Sequence, residues 1–434
     1  MINKILIFTV LLSQAVSADI VVGNYIQINF DSSTSVDPLT GREVLSFTNS
    51  SDITIPLPDR NIWIGNEQFV LFETDMARPQ GESSGNGEKQ IAAINLLTGD
   101  AYWITSLEVE DPFIYGWGHF DISSDAHFTC SRENDLVAYR DITGHHLYLK
   151  RLTDDLTIEL LHLFAGTFIG TPAISDDGGV VVIEAIHRGP DTDYYDGTNH
   201  SIMVFNIDTV NMQVVGDIEI ANSFANIKAN ESQASKTLGY PFLSPDGSWM
   251  AFKNKQIDMD GQESYCLEYC LTDGSRMGRF ADQIGSVGGL WCKGNDLYFV
   301  AEGGFSRANI NSTGYQRWRK LLTDKRVKVK SKSDKSVSFI PFPSYRVNMD
   351  NLIVLPDDNI IYNILPISYD DNDLGSTVVY ELNTITAEKK ALVSARQSRI
   401  SGKRINFHVS GDSKKIVYCD FENSQSKISL CSVE

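Results

Sequence analysis

Long amphipathic helical patterns are almost absent from this chain, which argues against helix bundles and folds that alternate strand with helix. Long apolar runs are missing too. After the N-terminal segment no stretch approaches about 18 consecutive apolar residues, so nothing reads as a membrane-spanning helix. Cysteine is limited to 6 residues and histidine to 8, and no Cys-x-x-Cys pair or Cys/His cluster suggests a zinc site. There is no phosphate-binding loop and no dinucleotide fingerprint. Basic charge is short as well, with 37 Lys and Arg against 56 Asp and Glu and a net charge of −19. That balance excludes a nucleic-acid or polyanion binder working by bulk charge. A polyanionic ligand would need a local basic patch.

The N-terminus has the layout of a secretory signal. Lys4 gives a short basic region, Ile5 to Leu12 is apolar except for Thr9, and Val16-Ser17-Ala18 offers small residues for cleavage before Asp19. The expectation is a signal peptide over residues 1–18 and an exported single domain over 19–434, monomeric, in a secreted or periplasmic setting. In an oxidising compartment disulfides can form. Cys419 and Cys431 flank Gln425 symmetrically in an apparent hairpin and could bridge. Cys266 and Cys270, about 13 Å apart on one strand at 3.3 Å per residue, cannot pair with each other.

Short runs of Val, Ile, Phe and Tyr recur between clusters of Gly, Asp, Asn and Ser, the mark of many short antiparallel strands. They fall into a repeat. Each unit is a short strand, a turn of the Ser-Pro-Asp-Gly kind, a buried apolar strand, and then two further strands. The clearest copy is Tyr240-Pro-Phe-Leu-Ser-Pro-Asp-Gly-Ser-Trp-Met-Ala-Phe252, where Pro fixes φ and Gly accepts a positive φ. Other copies run Thr171 to Ile183 and Asn406 to Tyr418, and one runs from His119 through Ser123, Ser124 and Asp125. With weaker copies, units start near 64, 123, 175, 244, 292, 355 and 410. The last unit stops after its third strand at Val433, while Gly41 to Phe47 is a spare strand at the other end. An all-β, seven-bladed β-propeller, its last blade closed by the N-terminal strand, accounts for both and leaves no open sheet edge.

In such a blade the innermost strand starts beside the central channel. Taking the residue four before each turn gives Arg60, His119, Thr171, Tyr240, Gly288, Asn351 and Asn406 at one mouth. A His, a Tyr and an Arg there would form an acid–base set, although such groups also simply satisfy one another in polar channels. Loops after the second strands open on the same face. They add His187, Arg188, Tyr194 and Tyr195, then Arg132 and the segment leading to His145 and His146. His408 lies two residues inward from Asn406. His127, His162 and His200 receive no role. The stretch 317–335 is rich in Lys and Arg, Arg326 and Lys328 among them, and is either a polyanion-binding stripe or a solvated loop.

Three other patterns are weak. Gly81-Glu82-Ser83-Ser84-Gly85 lacks the following helix of a nucleophile elbow. The acidic loops at Asp191, Asp193 and Asp196 and at Asp370, Asp371 and Asp373 lack full calcium-loop spacing. No cofactor is certain, and a divalent metal stays open.

The segment Asp37-Pro-Leu-Thr-Gly-Arg-Glu-Val44, the Ser-Pro-Asp-Gly-like turns and the strand His146-Leu-Tyr-Leu-Lys-Arg-Leu152 resemble the seven-bladed propeller lyases, the oligogalacturonate lyases and ulvan lyases. The resemblance covers nearly the whole mature chain as architecture. Its motifs are shared with Tol-type propellers and peptidase propeller domains. It implies a polysaccharide lyase acting on an acidic, uronate-containing polymer by β-elimination. Ulvan lyases, by this resemblance, use His and Tyr as base and acid with an Arg on the uronate. His119, Tyr240 and Arg60 or Arg188 would be the counterparts, with His145 nearby. Oligogalacturonate lyases hold a metal through several His and a Gln near the last blades. Here that region offers only Gln397 and His408, which favours the ulvan type. The competing class is a non-catalytic envelope propeller of the Tol type that holds a protein or peptide partner.

Overall fold

The computed structural model describes residues 25–49, 51–76, 89–107, 127–163, 167–187, 200–221, 236–257, 263–284, 287–301, 304–311, 351–364, 374–383, 386, 388–398, 406–422 and 425–433. Within them every regular element is a strand, and the strands form seven antiparallel sheets arranged as the blades of a propeller. No helix among the described residues is long and apolar enough to cross a membrane.

Second strands are apolar on both faces because each blade is covered by a neighbour on either side. In Phe69–Thr74 and Leu136–Arg140 every residue is buried. The core is therefore not one mass but a set of clusters, each lying between adjacent blades. One joins Phe72 and Ile91 of blade one to Phe128 and Val137 of blade two and to Val417 and Ile428 of blade seven. Others join blades two and three through Leu149 and Val181, and blades six and seven through Leu392 and Phe407.

The ring closes as the spare strand requires. Glu43–Thr48 pairs with Gln425–Ser432, with Val44 opposite Cys431 and Phe47 opposite Ile428. A further strand, Asp31–Val36, covers Glu43–Thr48 on its outer side. Asp37 in the hairpin turn is buried, and its Oδ2 accepts from the backbone N–H and hydroxyl of Ser394 in blade six, each at 2.7 Å. Burial alone would raise this carboxyl; the Ser394 and Thr40 hydrogen bonds outweigh it and hold it below the usual range. The Asp-Pro-Leu-Thr-Gly motif thus latches the closing hairpin onto blade six.

The serine of each turn is a clamp. Ser244 Oγ donates to Asp246 at 2.7 Å and accepts from Trp249 N at 3.1 Å. Ser175 and Ser410 repeat the same pair of bonds. Blade two repeats half of it at a different place from the one its sequence suggests. Its inner strand is Phe128–Cys130 and its turn runs from Ser131, whose Oγ accepts from Leu136 N at 3.1 Å. The unit expected at 123 therefore turns at 131. Asp135, with φ 48°, takes the left-handed conformation that Gly supplies in other copies.

The proposed Cys419–Cys431 bridge is absent. The hairpin pairs Glu422 with Gln425, so Cys419 faces Ile428 and Cys431 faces Ile416. Neither forms a disulfide, and both are buried. The turn lies one and a half residues earlier than a centre at Gln425, which separates the two cysteines along the ladder.

Candidate functional site

The inner strand of blade one is broken. Ile53–Thr54 pairs with one end of Phe69–Thr74 and Trp63–Ile64 with the other, while residues 55–61 leave the sheet. Pro56 and Pro58 have no N–H to give a ladder, which favours such an excursion. Four contacts fix it. Asn406 Nδ2 donates to Ile55 O at 2.7 Å, and His408 Nε2 donates to Pro56 O at 2.9 Å. Cys130 N donates to Asn61 O at 2.9 Å. Arg60 Nη2 donates to Pro241 O at 2.8 Å, with its guanidinium 5.6 Å from the Phe242 ring centre. A segment bonded at once to blades two, four and seven must lie across the centre of the ring, so it plugs the channel.

Three residues read from the sequence as mouth groups belong to this plug. Arg60 is 1% exposed and also pairs with Asp59 at 2.7 Å. Asn406 is buried, and Asn351 Nδ2 donates to its Oδ1 at 3.4 Å. His408 is 2% exposed, and burial pushes its pKa down to about 3, so it is a neutral donor to Pro56 O. These side chains hold the plug in place and are not open to a ligand.

With the blade-two turn at Ser131, the residue four before it is His127. It stands in the register of Thr171 and Asn406, in the place that the sequence repeat gave to His119. His127 Nδ1 lies 2.9 Å from Glu73 Oε1, and its backbone N–H also donates to that oxygen. Glu73 is 1% exposed and has Lys89 Nζ at 3.9 Å. Burial raises its carboxyl most of any single cause, but the His127 ring and backbone N–H and the Lys89 charge together outweigh it and hold it below the usual range. An ionised Glu73 fixes the tautomer with the proton on Nδ1 and leaves Nε2 as the basic nitrogen, an orienter–base pair. The signal that could have found it is the spacing of five residues from clamp serine to second strand, which Ser131 and Leu136 satisfy.

A cavity of about 310 Å³ opens at the other end of the plug. The turns of the repeat form its rim, and Asp59, Arg132, Asp176, Trp291, Phe242 and Lys293 are among its lining. Arg132 thus belongs here, in a first turn, and not in a loop of the opposite face. The charges are matched: Arg132 Nε lies 3.4 Å from Asp176, and Lys293 Nζ lies 2.5 Å from Asp358. Among the described lining residues no excess of positive charge remains for a polyanion.

His145 is half-buried in the turn before the third strand of blade two, its N–H on Asp141 Oδ1 at 2.9 Å. Next to it, His146 packs against His162, and Glu159 Oε1 lies 2.6 Å from His146 Nδ1. Tyr240 and Pro241 sit where the ladder of blade four slips between Gly239 and Phe242. His187 ends the second strand of blade three. His119, Arg188, Tyr194, Tyr195, Arg326 and Lys328 lie outside the described residues, as do the signal segment and both acidic loops. The thiols of Cys130, Cys270 and Cys292 are buried and pushed up by that burial, so none is a thiolate nucleophile.

Solved structures share this architecture. An oligogalacturonate lyase in complex with manganese matches with a TM-score of 0.62 at 15% identity, over 94% of this chain and 98% of its own. The oligogalacturonate lyase of Vibrio parahaemolyticus matches with a TM-score of 0.61 at 14% identity, over the same shares. The likeness is one of fold. A puromycin-hydrolysing peptidase of Mycobacterium tuberculosis matches with a TM-score of 0.52 at 11% identity, over 88% of this chain but 51% of its own. No family model and no curated protein matches the chain.

By the resemblance to oligogalacturonate lyases a metal would lie near the last blades. The described histidine there is His408, and its Nε2 is already bonded to Pro56 O inside the plug. The described groups do not fit a metal centre at that place.

Proposed function

We propose that the protein is an exported lyase that cleaves a uronate-containing polysaccharide by β-elimination, with an ulvan-type polymer as the favoured substrate. The observation that carries this reading is the end-to-end match with two oligogalacturonate lyases, against a match with only about half of the peptidase chain. The Lys4 and Ile5 to Leu12 signal pattern supports export.

In β-elimination a base removes the C5 proton beside the uronate carboxylate and an acid protonates the departing O4. The C5 proton is barely acidic, so a cation or donors must stabilise the carboxylate as charge builds on it. Arg60 is consumed by the plug, which passes that role to Arg188. His127, oriented by Glu73, would be the base in the place that the repeat gave to His119, and Tyr240 completes the group by sequence position. Tyr240 would donate to the leaving oxygen.

The test is ultraviolet absorbance from an unsaturated uronyl end. Residues 19–434 are incubated with ulvan, oligogalacturonate and other uronate polymers. The expected result is new absorbance that falls by at least about 100-fold in His127→Asn, the usual scale for losing a general base. A folded protein silent on every polymer would overturn the lyase and leave a binding propeller.

A further inference from the structure

We propose that blade two holds a divalent metal ion of the zinc class through His146, Glu159 and His162, apart from the channel and its plug. His146 opens the third strand, His146–Arg151, and His162 ends the fourth, Leu156–His162. The two are opposite each other in the ladder, with ring centres 4.2 Å apart. In a regular strand Glu159, three residues before His162, would point to the other face. The ladder slips here: Leu147 faces Leu161 but Tyr148 faces Glu159, so Leu160 is the extra residue of a β-bulge. The bulge turns Glu159 onto the face of both imidazoles. One ligand atom from each of the three residues then lies within 4.8 Å of the others.

The His146 side chain is nine-tenths buried, and its Nδ1 already faces Glu159 Oε1 at 2.6 Å, so Nδ1 is the nitrogen it offers to the ion. The Tyr148 ring lies nearly parallel to the imidazole at 5.9 Å and fixes its plane. Glu159 and His162 are exposed, which gives an ion its entry path.

The donor set selects the ion. Two imidazole nitrogens and one carboxylate oxygen suit zinc and its neighbours, while calcium and magnesium require oxygen shells. Bonds of about 2.0–2.1 Å in a tetrahedral set place ligand atoms about 3.3 Å apart. Glu159 therefore moves off His146 by less than about 1 Å to admit the ion, and three protein ligands leave a position for water. The ion would tie the outermost strand of the blade to its neighbour.

The experiment is equilibrium dialysis of the chelator-stripped chain 19–434 against zinc, with bound metal counted. One zinc per chain is expected. His162→Asn and Glu159→Gln change exposed side chains and should weaken binding at least tenfold, since loss of mere outer-shell partners costs about 10–100-fold. Cobalt(II) added to the unmutated chain gives a reading that needs no variant: visible bands of a low-coordinate site, removed by zinc. A chain that takes up no zinc below about millimolar concentration, a variant that binds like the parent, or cobalt without such bands would each overturn the proposal.

Discussion

Replacing His408 by Asn should make the propeller less sensitive to acid. In the folded chain burial holds the His408 pKa down to about 3, against 6.5 for the free side chain. The unfolded state therefore takes up a proton first as pH falls. The contribution of neutral His408 is complete above about pH 6.5 and is lost progressively down to about pH 3. Each pH unit in that window is worth about 1.4 kcal/mol, so pH 5 costs about 2 kcal/mol relative to pH 7. Asn keeps a donor for Pro56 O but cannot titrate. At pH 7 the variant should be less stable by about 1–3 kcal/mol, because the smaller side chain packs the plug less well. At pH 5 that deficit should shrink by about 2 kcal/mol. Urea unfolding followed by tryptophan fluorescence at pH 7, 6 and 5 measures both. Carboxylates titrate equally in parent and variant and cancel in the difference. Parallel stability curves for the two proteins across this range would refute the assignment of His408 as a buried neutral donor.

Glu73→Gln should lower stability by about 2–3 kcal/mol at pH 7, because the charge-assisted contacts to His127 go while its ring stays buried. The Glu73 carboxyl is held low in the fold, so its contribution is present above the ordinary carboxylate range and fades as pH falls through its lower folded value. The variant should therefore show a flatter loss of stability below about pH 4 in the same urea assay. Gly178→Ala places a Cβ 2.5 Å from Leu136 Cδ1 of blade two at φ +74°, whereas Gly294→Ala, at φ +55°, meets nothing within 4 Å. Both should lose about 1–2 kcal/mol to the left-handed backbone. Gly178→Ala should lose at least about 1 kcal/mol more by overpacking, read as the difference in urea midpoints.

The blade count was legible because each repeat carries its turn chemistry locally. Ser244, Asp246 and Gly247 are within four positions of one another, and the clamp bonds from Ser244 to Asp246 and from Trp249 to Ser244 span no more than five residues. Where that local chemistry is degenerate the reading slipped. Ser131 to Asp135 has neither Pro nor Gly, so the pattern points to Ser123 and puts His119 where His127 stands. Histidine 127 looked unremarkable in the sequence since its partner, Glu73, is on another blade, 54 residues away.

The sequence by itself determined the class of this protein: the spacing of clamp serines, the strands apolar on both faces and the spare N-terminal strand admit a seven-bladed ring and little else. Tertiary structure alone decided what the polar residues do. Arg60 became a strut because Pro241, 181 residues on, presents a carbonyl to it, and His408 became a neutral donor because Pro56, 352 residues back, does the same. His146, Glu159 and His162 met on one face through a single bulged residue. Turn and strand propensities act over a few neighbouring residues, whereas burial, charge state and pairing are set by atoms that only the closed ring brings together.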